Sequence, residues 1–413
     1  MTKPPMLTAQ QALDHLLSHA KAVGESESVA MQAALGRVLA ENVNSLVDVP
    51  PLDNTSMDGY AVRTADTQNS GSILKIAQRI PAGSVGTQLE PGTVARIFTG
   101  APVPPGADAV VMQEDCAIPD GSADQVQVNI VPISGQWIRR RGEDLTTGKT
   151  ALSAGTFLRP QELGVAASAG LTHLTVKRRV KVAAFFTGDE LSLPGEPLKP
   201  GGIYNSNRDT LLACLKSLGC EATDLGIVPD RLDATKEALR TASKDHDLII
   251  TSGGVSVGEE DHIKPAVTSE GRLDLWQIAI KPGKPLAFGA VRKSADPKDG
   301  EAWFIGLPGN PVSSFVTFLL FVRPFILKLQ GREAGQAQSY YLRADFDWLK
   351  ADRRNEFLRV KLNSKGGLDL FPNQSSGVLT SASWGDGLVD CPPNQVIQAG
   401  DLVKYIPFDA LLK

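Results

Sequence analysis

The sequence has few cysteines and no excess of positive charge. Its cysteines are Cys116, Cys214, Cys220 and Cys391, and no two of them form a C-x-x-C pair. This spacing argues against a zinc ribbon, a thiol redox motif and a secreted disulfide framework, and it favours a reduced, cytoplasmic compartment. Lysine and arginine number 42 against 46 aspartates and glutamates, a formal net charge of −4. Such a chain has no general basic field that would hold nucleic acid or an anionic membrane.

The sequence also lacks a long hydrophobic run and a histidine metal motif. Its longest apolar stretch, 312–322, ends at Arg323 and Pro324, after about half the length that a bilayer crossing needs. The N-terminal residues contain no apolar signal core. His15 and His19 have helical i, i+4 spacing without the Glu of an H-E-x-x-H zinc motif. We therefore expect neither a membrane segment nor a zinc site.

The remaining sequence is typical of a multidomain globular protein. A length of 413 residues, 42% of them hydrophobic and 21% charged, corresponds to about three domains by size alone. Changes in pattern divide the chain into a helical or extended N-terminal domain, an inserted β-rich domain, a doubly wound α/β domain and a small C-terminal β-barrel. Their predicted boundaries are 1–45 plus 145–178, 46–144, 179–329 and 330–413, respectively.

Local patterns support this division. Apolar residues at helical spacing follow Thr8, which can cap a helix, and this pattern predicts a capped helix within 7–23. A second helix is predicted over 28–40. Short apolar runs separated by Gly and Pro indicate strands in the inserted domain. From Lys181 onward, strands and helices alternate as β-α-β-α-β, and a further helix is predicted over 311–322.

Polar and glycine-rich segments follow the predicted strands of the α/β domain. In an open α/β sheet, ligands bind beyond the carboxyl ends of the strands, so these segments are expected to converge. One such loop is equally typical of a turn or a helix cap, but five of them at one edge favour a ligand site. The segments are 187–190, 229–230, 252–258, 281–285 and 306–313.

The residue types in these segments favour an anionic ligand. Glycines allow backbone N–H groups to approach an oxyanion, and Lys281 and Lys284 add positive charge. Glu190, Asp230 and the acidic run 259–261 would repel that anion unless they hold a divalent cation, and oxygen ligands favour Mg²⁺ over zinc. The residues alone therefore predict magnesium-assisted chemistry on a phosphorylated ligand.

Two familiar motifs fail in the segment 252–258. Gly253 and Gly258 have P-loop spacing, but Glu259 stands where the phosphate-binding lysine is required. The G-x-S-x-G pattern around Ser256 is followed only by His262, so the order Ser, Asp, His of an α/β-hydrolase triad cannot be completed. Neither a P-loop NTPase nor an α/β-hydrolase is expected.

Seven segments point to a known family when they are taken together. In chain order they are SMDGYA, FTGAPVP, GED, TGDEL, TSGGVSVGEEDH, IKPGKP and GLPGNPVS. The chain resembles the molybdopterin molybdenumtransferase (MoeA) family, which includes the E domain of gephyrin. The resemblance covers nearly the whole chain, although only FLR and QSSG carry it after Arg332.

The resemblance implies a four-domain, elongated homodimer with an active site shared between its subunits. Its reaction would insert molybdate into adenylylated molybdopterin, with Mg²⁺ required and AMP released, and it allows a transient contact with the molybdopterin adenylyltransferase. Dithiolene sulfurs of the pterin, rather than cysteines, would bind molybdenum. Lysines and Mg²⁺ would neutralise the departing adenylate, without a covalent enzyme intermediate.

The resemblance also implies catalytic and binding roles for individual residues. These are Asp58, Thr99 and Asp144 for the site of the other subunit; Glu190, Asp230 and Asp261 for Mg²⁺ and substrate; Ser252, Gly253, Gly254 and Ser256 for the pterin phosphate; Lys281, Lys284, Pro285 and Ser313 for the oxyanion; and Arg359 and Ser376 for the molybdate pocket.

Two residues depart from the pattern of the family, and two other functions are alternatives to the molybdenumtransferase. Phe186 stands where the family usually has serine, and Gln277 stands where a basic residue is frequent, which would affect anion binding more than the class of reaction. A gephyrin-like scaffold and a molybdopterin adenylyltransferase are the alternatives. The absence of a long disordered linker argues against the scaffold, and the KPGKP and SMDGYA segments favour the molybdenumtransferase.

Overall fold

The computed structural model of the chain describes residues 6–254, 262–333 and 337–412. The chain divides into two compact units. The β unit is Ser28–Val176, and the α/β unit combines Met1–Glu27 with Lys177–Lys413. The finer division into four domains stays a prediction.

The first helix, α1 (Ala9–His19), forms as expected but packs in an unexpected place. Thr8 and Gln11 form a capping box, in which each side chain accepts a hydrogen bond from the other residue's backbone N–H. Ala12 and Leu16 on its apolar face are fully buried in the main hydrophobic core of the α/β unit. The helix therefore belongs to the core of that unit and does not join a helical N-terminal body, because its apolar face is buried there.

The second helix predicted over 28–40 is wrong. The segment begins in strand β1 (Ser26–Ala30) and continues in a 3₁₀ turn at Met31–Ala34. Further on, the backbone N–H of Leu39 donates to the carbonyl of Thr156. Backbone pairing with residues distant in the chain thus overrides a local pattern that is also compatible with a helix.

Short strands make up most of the β unit, as the sequence predicts. After β1 they are β2 (Val43–Asn44), β3 (Asn54–Thr55), β4 (Gly59–Val62), β5 (Ser72–Ile80), β6 (Thr93–Ile97), β7 (Ala109–Met112), β8 (Cys116–Ala117), β9 (Gln125–Val128), β10 (Ile138–Arg139), β11 (Thr150–Leu152) and β12 (His173–Lys177), with helix α2 (Pro160–Ser168) before β12. A six-stranded sheet has the order β7-β4-β6-β5-β9-β8, and β1-β12, β3-β10 and β2-β11 form separate pairs.

Alternating strands and helices follow in the α/β unit. They are β13 (Lys181–Thr187), β14 (Leu191–Ser192), β15 (Ile203–Tyr204), α3 (Ser206–Ser217), β16 (Glu221–Val228), α4 (Leu232–Asp245), β17 (Leu248–Ser252), α5 (Ile263–Glu270), β18 (Gly271–Gln277), β19 (Ile280–Lys281), β20 (Pro285–Arg292), β21 (Glu301–Leu307), α6 (Pro311–Thr317) and α7 (Arg323–Leu329).

The central sheet of this unit has the order β16-β13-β17-β21-β20-β18. The first four strands are parallel, whereas β20 is antiparallel to both β21 and β18. Successive residues of β13 are buried on opposite faces: Val182 and Ala184 lie in the core that includes α1, and Ala183 and Phe185 lie in a second core. A sheet covered on both faces explains why its strands read as continuous apolar runs.

The helix predicted over 311–322 continues past its expected end. The chain passes from α6 through one π-helical stretch, Phe318–Val322, into α7. Pro324 lacks an N–H and its ring would clash with the carbonyl four residues back, and a widened turn accommodates both. The whole stretch Pro311–Leu329 is long and apolar enough to cross a membrane, but 83% of its most apolar window is buried inside the protein. It packs as a core helix.

A second sheet follows in the C-terminal part of the α/β unit. Its elements are β22 (Tyr340–Arg343), β23 (Asn355–Leu362), β24 (Leu368–Leu370), α8 (Thr380–Trp384), β25 (Gly387–Cys391), β26 (Leu402–Pro407) and α9 (Phe408–Leu411). The strand order is β19-β23-β25-β26-β22, with β24 paired to β23. Strand β19 contains Lys281, the first residue of the lysine-containing segment 281–285. This segment is therefore attached directly to the second sheet.

Candidate active site

The predicted loops meet at one edge of the central sheet. The parallel strands β13, β16, β17 and β21 all end there, and antiparallel β20 begins there, which brings the segment 281–285 to the same edge. These loops and part of the C-terminal sheet line a cleft of about 860 Å³. The expected convergence of five loops is confirmed.

Many of the predicted site residues line this cleft. They are Glu190, Asp230, Ser252, Gly253, Gly254, Lys281, Lys284, Pro285, Ser313 and Ser376. Sequence reasoning missed the lining residues Asn205, Asn207 and Arg354, and it named Asn310 and Gln374 only as parts of the segments 306–313 and QSSG. An available signal was the N-S-N triplet at the start of α3, since asparagine is typical of helix caps.

Glycines and one asparagine build the floor of the cleft. A Cβ atom on Gly253 would lie 2.5 Å from the Thr187 carbonyl oxygen, and the φ of Gly253 is +101°. The Asn207 Nδ2 donates to Ser252 Oγ at 2.8 Å and to the Gly309 carbonyl at 2.7 Å. In turn, Ser252 Oγ donates to the Pro308 carbonyl at 2.9 Å. Ser252 is 2% exposed, so it ties two loops together beneath the cleft.

The two lysines of the segment 281–285 have different surroundings. The Lys281 Nζ lies 2.7 Å from Glu356 Oε1 and 3.7 Å from Asp352 Oδ2. Lys284 is exposed, and no described residue forms a hydrogen bond or an ion pair with its ammonium. Of the two, Lys284 is therefore the cation that pairs with no carboxylate among residues 6–254, 262–333 and 337–412.

Two carboxylates of the predicted acidic set, Glu190 and Asp230, line the cleft. Asp261 and Ser256 lie outside the described residues. Within 6–254, 262–333 and 337–412, no group of three or more His, Cys, Asp or Glu side chains is placed to hold a metal ion. Mg²⁺ nevertheless needs only one or two carboxylates when phosphate oxygens and water complete its shell, and the oxygen donors that line the cleft are of the type that this ion prefers.

Three family models match consecutive parts of the chain. They are the MoeA N-terminal region (domains I and II) at 7–170, a probable molybdopterin-binding domain at 183–328 and the MoeA C-terminal region (domain IV) at 341–408. A molybdopterin molybdenumtransferase of Haemophilus influenzae is 40% identical over 88% of this chain and 89% of its own length. The chain belongs to the MoeA family. This confirms the resemblance, and with it a transferase of molybdenum cofactor biosynthesis.

A solved structure agrees in fold, and a gephyrin matches part of the chain in sequence. The crystal structure of the molybdopterin biosynthesis MoeA protein from Pyrococcus horikoshii OT3 has a TM-score of 0.83 and 28% identity, covering 98% of this chain and 100% of its own. Gephyrin of Dictyostelium discoideum is 33% identical over 74% of this chain but only 47% of its own length. The predicted fold class, a multidomain α/β plus β architecture, is confirmed.

Arg359, one of the expected pocket residues in this MoeA chain, does not line the cleft. It is 1% exposed, and its guanidinium donates to Ser381 Oγ at 3.1 Å and to the carbonyls of Phe357 and Ser375 at 3.2 and 3.3 Å. Burial lowers the pKa of Arg359 to about 10. Arg359 thus supports Ser375 from behind, while Arg354, which directly precedes strand β23, lines the cleft.

The remaining expected residues lie in the β unit. The Asp58 Oδ1 accepts hydrogen bonds from the backbone N–H and the hydroxyl of Thr99, both at 2.8 Å. These bonds hold the pKa of Asp58 below its usual value. Asp144 is exposed. Asp58 and Thr99 therefore form a hydrogen-bonded pair. The sequence alone did not show this contact, because the two residues lie in separate motifs.

The two departures from the MoeA pattern are not among the described residues that line the cleft. Phe186 is 1% exposed and packs in the main core of the α/β unit. Gln277 is the last residue of β18, and its backbone carbonyl accepts a hydrogen bond from the Leu7 N–H.

Proposed function

We propose that this chain inserts molybdenum from molybdate into adenylylated molybdopterin and releases AMP. Membership of the MoeA family supports the reaction class, and the cleft supports the substrate class. The observation that carries the proposal is one cleft lined by two lysines, two carboxylates and a glycine floor. This combination suits a phosphorylated ligand together with a second anion.

Lys284 and the cleft floor would do most of the binding. The Lys284 ammonium attracts the molybdate dianion or the phosphoanhydride and stabilises the negative charge that develops as AMP leaves. Gly253 and Gly254 permit a close approach of the pterin phosphate to the backbone. Ser313, Pro285 and Ser376 line the same cleft and would complete the oxyanion site. Holding both reactants in one cleft favours transfer over reaction from solution.

Glu190 and Asp230 would hold Mg²⁺, joined by Asp261 as the family resemblance implies. Such an ion supplies positive charge at the phosphoryl oxygens when it is bound. In the proposed homodimer, Asp58, Thr99 and Asp144 would serve the cleft of the other subunit. The adenylyltransferase would deliver the substrate by a transient contact.

A direct test measures molybdate-dependent AMP release from adenylylated molybdopterin. Lys284→Met should lower the rate at sub-saturating molybdate by on the order of tenfold or more, because a charge-assisted contact is worth about 1.5–3 kcal/mol. Lys298→Met is the matched control, since Lys298 is exposed at the opposite edge of the sheet. Binding of the substrate without turnover by the unmodified protein would instead favour the scaffold alternative.

A further inference from the structure

A buried carboxylate lies directly behind the lysine loop of the cleft. The Glu356 side chain is 2% exposed, and its Oε1 lies 2.7 Å from the Lys281 Nζ. Its other oxygen, Oε2, accepts a hydrogen bond from Trp348 Nε1 at 2.9 Å. Glu356 is therefore held by an ion pair at Oε1, which has no hydrogen-bond partner among the described residues, and by a hydrogen bond at Oε2.

The backbone places this pair at a junction between the two sheets. Lys281 in β19 lies opposite Glu356 in β23, in a parallel ladder that contains one further residue pair. The Asn355 N–H adds a hydrogen bond to the Ala279 carbonyl at 2.8 Å. The buried Ile280 side chain anchors the strand, and the ammonium of Lys281 lies closest to Glu356, with Asp352 at 3.7 Å and the Trp348 ring at 5.8 Å.

A second cation of the cleft wall is held in the same way. Arg354 lines the cleft and donates to both carboxylate oxygens of Asp352, at 3.0 and 2.8 Å. These hydrogen bonds keep the pKa of Asp352 far below its usual value, so the carboxylate is charged throughout the ordinary pH range. Lys281, Arg354, Asp352 and Glu356 together carry no net charge, and we call these four residues the paired wall.

We infer that Glu356 is a positioning residue for anion binding: it fixes the Lys281 ammonium at the cleft and sets the affinity for the oxyanion substrate through that lysine. An ammonium has three N–H donors, and the Lys281 side chain is 36% exposed. It can therefore stay ion-paired with Glu356 while its N–H groups donate to a bound anion. The inference rests on the proposed function for the identity of that anion.

Removing the charge of Glu356 separates positioning from simple electrostatics. Glu356→Gln keeps an oxygen for the Trp348 N–H and leaves the wall with one more positive charge. Electrostatics alone would then tighten the binding of molybdate. Loss of positioning does the opposite, because a flexible lysine must be ordered again by each bound anion.

The experiment measures the KM for molybdate in AMP release and, independently, the Kd of inorganic molybdate by calorimetry on the full chain. Glu356→Gln is expected to raise both values by on the order of tenfold. Lys281→Met should raise them at least as far, and the double variant should be no worse than Lys281→Met, because Glu356 acts through Lys281. Additive effects, or tighter binding by Glu356→Gln, would overturn the inference.

Controls keep the outcomes distinct. Asp345→Asn breaks the Asp345–Arg343 ion pair, 2.6 Å long, beside the same sheet but outside the cleft, and it should leave the Kd unchanged. A second variant, Trp348→Phe, covers the case in which Glu356→Gln fails to fold. It removes the hydrogen bond from Trp348 but keeps the charge of Glu356, and it should raise the Kd less than Glu356→Gln would. Absence of AMP release by the unmodified protein would count against the proposed function, while the calorimetric comparison would still test the role of Glu356.

Discussion

Gly253 shows at the scale of one residue why the cleft needs glycine. Its φ of +101° and the 2.5 Å separation between a built Cβ and the Thr187 carbonyl oxygen leave no room for a side chain. The sequence indicates the glycines of the TSGG segment as a phosphate cradle. The structure adds that their first requirement is the close packing of two neighbouring loops.

Gly253→Ala should therefore destabilise the protein and damage the cleft together. We expect a loss of about 1–3 kcal/mol in the free energy of unfolding, because the residue would hold a strained φ against a backbone oxygen. Chemical denaturation measures this loss. Gly300→Ala is a control for φ alone, since Gly300 has a φ of +77° with no atom near a built Cβ; an equal loss in both variants would show that close packing contributes nothing.

Asp247 illustrates how side chains connect elements of the central sheet. It lies just before β17, and its carboxylate accepts hydrogen bonds from both terminal nitrogens of Arg178 at 2.7 and 2.8 Å and from the Lys181 N–H at 2.9 Å. Burial alone would raise the pKa of Asp247, but these hydrogen bonds lower it overall. The starts of β13 and β17 are thus joined by a charged group.

This lowered pKa predicts a pH-dependent contribution to stability. Because the pKa of Asp247 is lower in the folded protein, its ionised carboxylate stabilises the fold at pH values above the pKa of the unfolded chain, near 3.8. This stabilisation is lost as the pH falls through the pKa of the folded protein. Asp247→Asn should cost about 2 kcal/mol at pH 7, and the difference from the unmodified protein should shrink below pH 4. Thermal unfolding between pH 7 and pH 3 measures this, with the exposed Asp274→Asn as the control. A difference that is independent of pH would contradict the assignment.

At the scale of the whole molecule, the proposed homodimer can be tested by mixing two inactive variants and measuring the activity of the mixed dimers. Asp58→Ala and Glu190→Ala should each be inactive alone if one cleft uses Glu190 of one chain and Asp58 of the other. Unfolding and refolding the two variants together in equal amounts should restore roughly a quarter of the full activity, since half of the dimers would be mixed and each would contain one intact cleft. No recovery, in a mixture shown to contain mixed dimers, would argue against a shared site.

The sequence by itself determined the repeating features of this protein. Apolar alternation with Gly and Pro between runs located strands in both units, although not β1, and the order of the glycine-rich and charged segments identified the family and one edge of the sheet. These inferences succeed because periodicity and turn chemistry are local properties of the chain.

Only the tertiary structure decided which side chains act together. It buried α1 against the α/β sheet, placed residues 28–40 in a strand and a turn, and extended the last helix of the sheet through Pro324. It also set Arg359 behind the cleft and paired Lys281 with Glu356. Each of these outcomes depends on contacts between residues far apart in the chain, where burial and charge pairing outweigh local preference.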